Sequence, residues 1–173
     1  VKLLADSVRN LLNAGAPHIV LACNTSHVFL EEVYKLVPEA KDHVLNIIVA
    51  VAKAMKARSV KSAGFIATEG TIMSGIFESV CSLYDIALTP PSEDDFIELR
   101  SLIEAVKHNK ISDDICKRFV EILKKQANAA CSDDIILGCT EFPCIYTKAL
   151  PLLEGSGLRI WDPLQEAINI LTR

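Results

Sequence analysis

At 173 residues, half of them hydrophobic, the chain has apolar material for one ordinary domain or two small lobes and too much for disorder. A formal net charge of −4 with no basic patch gives no electrostatic support for a nucleic-acid or anionic-membrane partner. The longest apolar runs, such as 19–23 and 47–52, fall far short of a bilayer span.

Val1 opens what reads as a helix already under way, and no signal-peptide pattern follows. The chain is therefore expected to lack its natural N-terminus. Leu3, Leu4, Val8, Leu11 and Leu12 fall at helical spacing over 2–13, with Gly15 as the stop. The short apolar run 18–23, led by Ile19 and Val20, predicts a strand buried on both faces. Helices are predicted over 27–36, ended before Pro38, and over 46–57. A second strand spans 63–68, followed by a Gly70-Thr71 turn and a helix over 72–83. A third strand, 86–89, closes at Pro90-Pro91.

Helices follow over 93–108 and 113–129. Asp113 and Asp114 stand at the start of the second, where the helix dipole favours negative charge. Residues 135–139 read as a buried strand and 141–150 as a short helix interrupted near Pro143. A last strand is predicted over 159–161 and a closing helix over 163–171. Strands alternating with helices predict an α/β fold with mostly parallel sheets.

Six cysteines occur, at 23, 81, 116, 131, 139 and 144. A helix-rich chain of this length without a secretion signal is expected to keep them reduced in a cytoplasm. There is no CxxC pair, and His18, His27, His43 and His108 have no ligand spacing, so no metal site is expected.

Two segments repeat. Residues 19–25 read IVLACNT and residues 135–141 read IILGCTE, aligning without a gap, each with an Asn-Ala pair shortly before it. Such repetition predicts two related α/β lobes. Ligands of parallel sheets bind beyond the carboxyl ends of strands, where Cys23 and Cys139 are placed. A helix starting after each cysteine is expected to lower its thiol pKa and to offer N–H groups to a carboxylate. Two thiols facing each other across a cleft suit inversion of a carbon centre. One removes a proton from one face, the other returns a proton to the opposite face, and the roles exchange with substrate handedness. Oriented N–H and hydroxyl donors would stabilise the carbanion. Cys81, Cys116 and Cys131 are read as small core residues, and Cys144, though near enough to Cys139 to approach the site, as packing.

The segments LACNTSH and LGCTEFP, with GFIATEGTIMSGIF between them, resemble the signature motifs of the aspartate/glutamate racemase family. The resemblance covers essentially the whole chain. It implies two pseudo-symmetric lobes with parallel sheets flanked by helices, no pyridoxal phosphate or other cofactor, and catalytic Cys23 and Cys139. It implies substrate contacts from Asn24, Thr25, Thr71 and Thr140, and gives Thr68 a more structural role. Lys107 lies where aspartate-type members place a lysine for the side-chain carboxylate, with Lys110 as a rival and a solvated surface lysine as the competing reading. Glutamate racemases resemble LGCTHYP at the second motif. Glu141 here points instead to the aspartate or aspartate/glutamate branch, whose members commonly read LGCTE. His27 fits the aspartate-type pattern CNTAH and is read mainly as capping or packing its loop.

Family members begin with a strand, a Gly-rich loop and a substrate-binding arginine that this chain does not match. The first lobe, 1–50 with 151–173, is therefore expected to be incomplete, leaving an open sheet edge. Residues 51–150 form the second lobe in this reading. The implied partner is a small acidic amino acid, aspartate or glutamate, and the implied assembly a homodimer. The alternatives are another reaction on this scaffold, such as a hydantoin racemase, maleate isomerase or arylmalonate decarboxylase, and an inactive carboxylate-binding relative. The decarboxylase keeps only one of the two cysteines.

Overall fold

The computed structural model describes residues 1–172. The chain order is α1 (Lys2–Asn13), β1 (Ile19–Val20), a 3-10 turn (Thr25–Phe29), α2 (Leu30–Leu36), a second 3-10 turn (Pro38–Asp42), β2 (Val44–Leu45) and α3 (Ile47–Ala57). It continues through β3 (Ser62–Ile66), α4 (Glu69–Met73), α5 (Ile76–Ser82), β4 (Ala87–Thr89), α6 (Asp95–Lys107) and α7 (Asp113–Ala130). It closes with β5 (Asp134–Leu137), α8 (Phe142–Leu153), β6 (Arg159–Trp161) and α9 (Pro163–Leu171).

All strand pairs are parallel, as the alternation of strands and helices predicts. β1 pairs with β2 in a two-stranded sheet, and the second sheet has the order β4-β3-β5-β6. Side chains leave a strand on alternate faces, and the four-stranded sheet uses this to build two cores. Phe65 and Ile136 face α3, α5 and α9 in one core, and Ile66, Ile135 and Leu137 face α6, α7 and α8 in the other. A third cluster joins α1, α2 and β1 through Ala5, Val8, Ile19 and Val33.

Several local expectations shift. The first strand shrinks to two residues, paired with the unforeseen β2. The helix read over 27–36 starts as a 3-10 turn. The helix read over 72–83 divides at Gly75, whose left-handed φ of +64° favours glycine. Pro143 does not interrupt α8. It stands in the first turn, where a missing N–H loses no helical bond.

The lobe boundary also moves. β6 pairs with β5, so 159–161 lie in the second lobe's sheet, and α9 packs in the core on that sheet's α3 face. A buried carboxylate explains the pairing. Asp134 on β5 is 2 % exposed and accepts from Arg159 Nε at 2.9 Å and Trp161 Nε1 at 2.8 Å, both on β6. Position 173, assigned to the first lobe from sequence, lies outside the described residues.

Candidate active site

Each cysteine motif lies just past the carboxyl end of a parallel strand. After β1 the chain runs through Leu21 and Ala22 to Cys23, which is exposed. After β5 it runs through Gly138 to Cys139, which is 8 % exposed. Gly138 answers a close approach. A Cβ there would overlap the Phe65 ring and stand 2.8 Å from Ala67 Cβ. The Gly138 N–H donates to Ile66 O at 2.7 Å, continuing the sheet ladder up to Cys139.

The Cys139 Sγ–H donates to Glu141 Oε2 at 3.0 Å, and Thr140 Oγ1 donates to the same oxygen at 3.2 Å. Burial, then the Glu141 carboxylate, push the Cys139 thiol up to about 12. The expected lowering by a helix N-terminus therefore fails at Cys139. The Glu141 backbone N–H does pull downward, but desolvation and a neighbouring negative charge outweigh it. The Cys23 thiol is near enough that charge on it further disfavours charge on Cys139. Cys23 itself is followed by a 3-10 turn, not an α-helix.

Hydroxyls link the two lobes. Thr71, fully buried near the start of α4, shares a 2.6 Å hydrogen bond with Thr25 Oγ1 and a 2.9 Å one with Thr68 Oγ1. Thr68 is the N-cap of α4 and accepts from the Thr71 N–H at 3.3 Å. Asn24 is buried, and its Oδ1 has no hydrogen-bond partner among the described residues. An unpaired buried acceptor is costly, so this oxygen is suited to a donor brought by a ligand.

His27 holds the first motif in place. Its ring is 2 % exposed and lies 2.9 Å from Cys23 O, which can only accept. The Ile47 N–H at the start of α3 donates to Nε2 at 3.4 Å. The ring is therefore neutral with its hydrogen on Nδ1, and burial holds its pKa below the usual histidine value.

Lys107 ends α6 on the side of the second cysteine. Glu104, 3.0 Å away, is the main cause of its raised pKa, and Glu141 and Cys139 add to it. Lys110 instead lines a surface groove with Ser101, Glu104 and Ser112. In the sequence Glu141 does no more than mark a branch. Its position two residues after Cys139, on the loop opening α8, is the signal that links them. A cavity of about 190 Å³ opens beside the hydroxyl cluster rather than between the thiols, lined by Thr68, Glu69, Gly70, Phe96, Leu99 and Arg100 among others.

Fold and site together define a two-lobe α/β protein with one thiol beyond a parallel strand in each lobe and a hydroxyl bridge between the lobes. The chain belongs to the Asp/Glu/Hydantoin racemase family, whose model matches residues 1–171. It is similar to the protein named glutamate racemase from Streptococcus equi subsp. equi, 34% identical over 167 residues, covering 95% of this chain and 60% of that protein. It is similar at 28% identity to the glutamate racemase of Lactiplantibacillus plantarum, covering 87% of this chain and 53% of the relative. The chain thus spans about 60% of the length of the first of these curated relatives. Among solved structures, Picrophilus torridus aspartate racemase superposes with a TM-score of 0.72 at 25% identity, covering 94% of this chain and 64% of that one. An aspartate racemase homologue from Pyrococcus horikoshii shares the fold, with a TM-score of 0.77 at 21% identity, covering 99% and 74%.

Proposed function

We propose that this protein is an amino-acid racemase that inverts the α-carbon of an acidic amino acid, aspartate foremost, using Cys23 and Cys139 as base and acid. The observation that carries the reading is the nearness of the two cysteines at one end of the sheets: the Cys23 charge is felt at Cys139, and Thr25, two residues past Cys23, bonds at 2.6 Å to Thr71 at the start of α4.

In the resting site Cys139 holds its proton against Glu141 and serves as the acid. Cys23, open to solvent, serves as the base for the enantiomer whose Cα–H faces it. The Cα–H bond breaks toward the Cys23 sulfur, and the electron pair spreads into the adjoining carboxylate. Cys139 then delivers its proton to the opposite face. With the other enantiomer the roles exchange. Hydroxyls of Thr25, Thr71 and Thr140 are the donors for the substrate carboxylate, where negative charge develops. The unpaired Asn24 oxygen accepts from the substrate ammonium. Lys107 receives the side-chain carboxylate, since its ammonium already lies in the field of Glu141 and Cys139.

Glu141 in the second motif favours aspartate. Glutamate is the comparator, because the curated relatives carry the name glutamate racemase. The family resemblance supports a homodimer, and six free thiols fit a reducing cytoplasm. Among the described residues no helix is long and apolar enough to cross a membrane. The test is Cα hydrogen exchange in D₂O with both enantiomers of aspartate and glutamate, followed by proton NMR. Exchange into both enantiomers, faster for aspartate, is expected. No exchange with either acid overturns the reading.

A further inference from the structure

After one inversion that starts at Cys23, the two thiols have traded protons. Cys23 is left protonated and Cys139 is left as a thiolate. The free protein must restore both before an identical turnover. Cys23 is exposed and exchanges with water directly. Cys139 is 8 % exposed, and its Sγ already has a hydrogen-bond partner in Glu141 Oε2 at 3.0 Å. Glu141, whose Oε2 touches the buried sulfur, is itself only half-buried, so the residue spans from the sulfur toward solvent. Thr140 Oγ1, donating to the same oxygen, holds that oxygen toward the sulfur.

We propose that Glu141 is the proton port of Cys139, reloading the buried thiol from solvent between turnovers. This inference rests on the racemase reading. In the reload, a buffer acid or hydronium ion gives its proton to Glu141, forming an O–H bond. That bond then breaks as the Cys139 Sγ–H bond forms, leaving a carboxylate, a thiol and the conjugate base of the buffer. The transfer runs downhill, because the buried thiol holds a proton far more tightly than an ordinary carboxyl does. The charged groups facing Cys139 are Glu141, Lys107 and Cys23.

Reloading follows product release, so it enters kcat and not kcat/KM. The Glu141→Gln variant keeps size and a hydrogen-bond acceptor but cannot carry the proton. Its kcat for aspartate is expected to fall at least about tenfold more than kcat/KM, with KM falling in parallel. Glu141→Asp should recover much of kcat. Equal losses in kcat and kcat/KM would place Glu141 in the chemical step or in folding alone, and would overturn the proposal. So would an unchanged kcat. If Glu141→Gln does not fold, Glu141→Asp carries the same kinetic split with a smaller effect.

A second measurement needs no turnover. Alkylation of Cys139 against pH, read by peptide mass spectrometry, should reach its midpoint at lower pH in Glu141→Gln, because a negative neighbour is gone. An unmoved midpoint denies the proton link. Racemisation by the unaltered protein is scored separately, so failure of the functional reading and failure of the port are distinguishable.

Discussion

Cys139 and Glu141 share one proton's hydrogen bond, Sγ to Oε2 at 3.0 Å, at the point where β5 hands over to α8. The relationship makes the two thiols unequal. One is buried against a carboxylate and protonated, and the other is open to water. Two thiols of the same residue type are thus set apart by environment, not by chemistry.

Alkaline stability follows from that environment. Cys139 and the buried core Cys81 are both raised from 9.0 to about 12, Cys81 by burial and then by Glu78. The folded chain therefore keeps two protons that the unfolded chain loses above pH 9. Stability from these groups is fully present below 9.0 and is lost as pH rises toward 12. Urea denaturation across this interval should show a falling midpoint, and Cys81→Ala should remove one proton from the slope. A flat profile in the unaltered protein contradicts the burial account.

His27 makes the mirror-image prediction. Its pKa is lowered by burial from 6.5, so it contributes stability above 6.5 that is lost as pH falls below that value. His27→Phe strands the Ile47 N–H and the Cys23 carbonyl, and is expected to destabilise by about 1–3 kcal/mol at neutral pH. Denaturant melts that coincide with those of the unaltered protein would show that the ring is not the tie described.

Gly138 is expected to tolerate no side chain. Alanine there would press on the Phe65 ring and on Ala67, both fully buried, and neither has room to retreat. Gly138→Ala should destabilise by about 1–3 kcal/mol and displace the adjoining Cys139. Thermal melts and Cys139 alkylation rates check the two effects. A variant within about 0.5 kcal/mol of the unaltered protein would mean that the strand end can shift.

The alternation of elements and the cysteine repeat were legible because buried parallel strands and amphipathic helices leave long, regular patterns. Shorter features were not. β2, only Val44 and Leu45, is too brief for any periodicity. Gly75 sits inside a helical pattern, and only its positive φ shows that it splits α4 from α5. The allegiance of β6 depends on the buried Asp134, whose partners on β6 lie far along the chain. The thiol expectation at Cys139 went astray for a related reason. A sequence shows a helix start, but not how much water the fold removes or that Glu141 turns back onto the sulfur. Asn24, Thr25 and Thr71 were nameable, yet the Thr25–Thr71 bond between lobes was not.

The central claim is that Cys23 and Cys139 act on opposite faces of one carbon. Because the two enantiomers are equal in free energy, losing either thiol must slow racemisation in both directions alike, by roughly 10²–10⁴-fold. Solvent exchange at Cα separates the faces. Cys23→Ser in D₂O should still exchange the enantiomer whose Cα–H faces Cys139, and Cys139→Ser the other. Opposite enantiomer preferences in the two variants are the predicted result. The same preference in both, or full racemisation by either, would contradict the account.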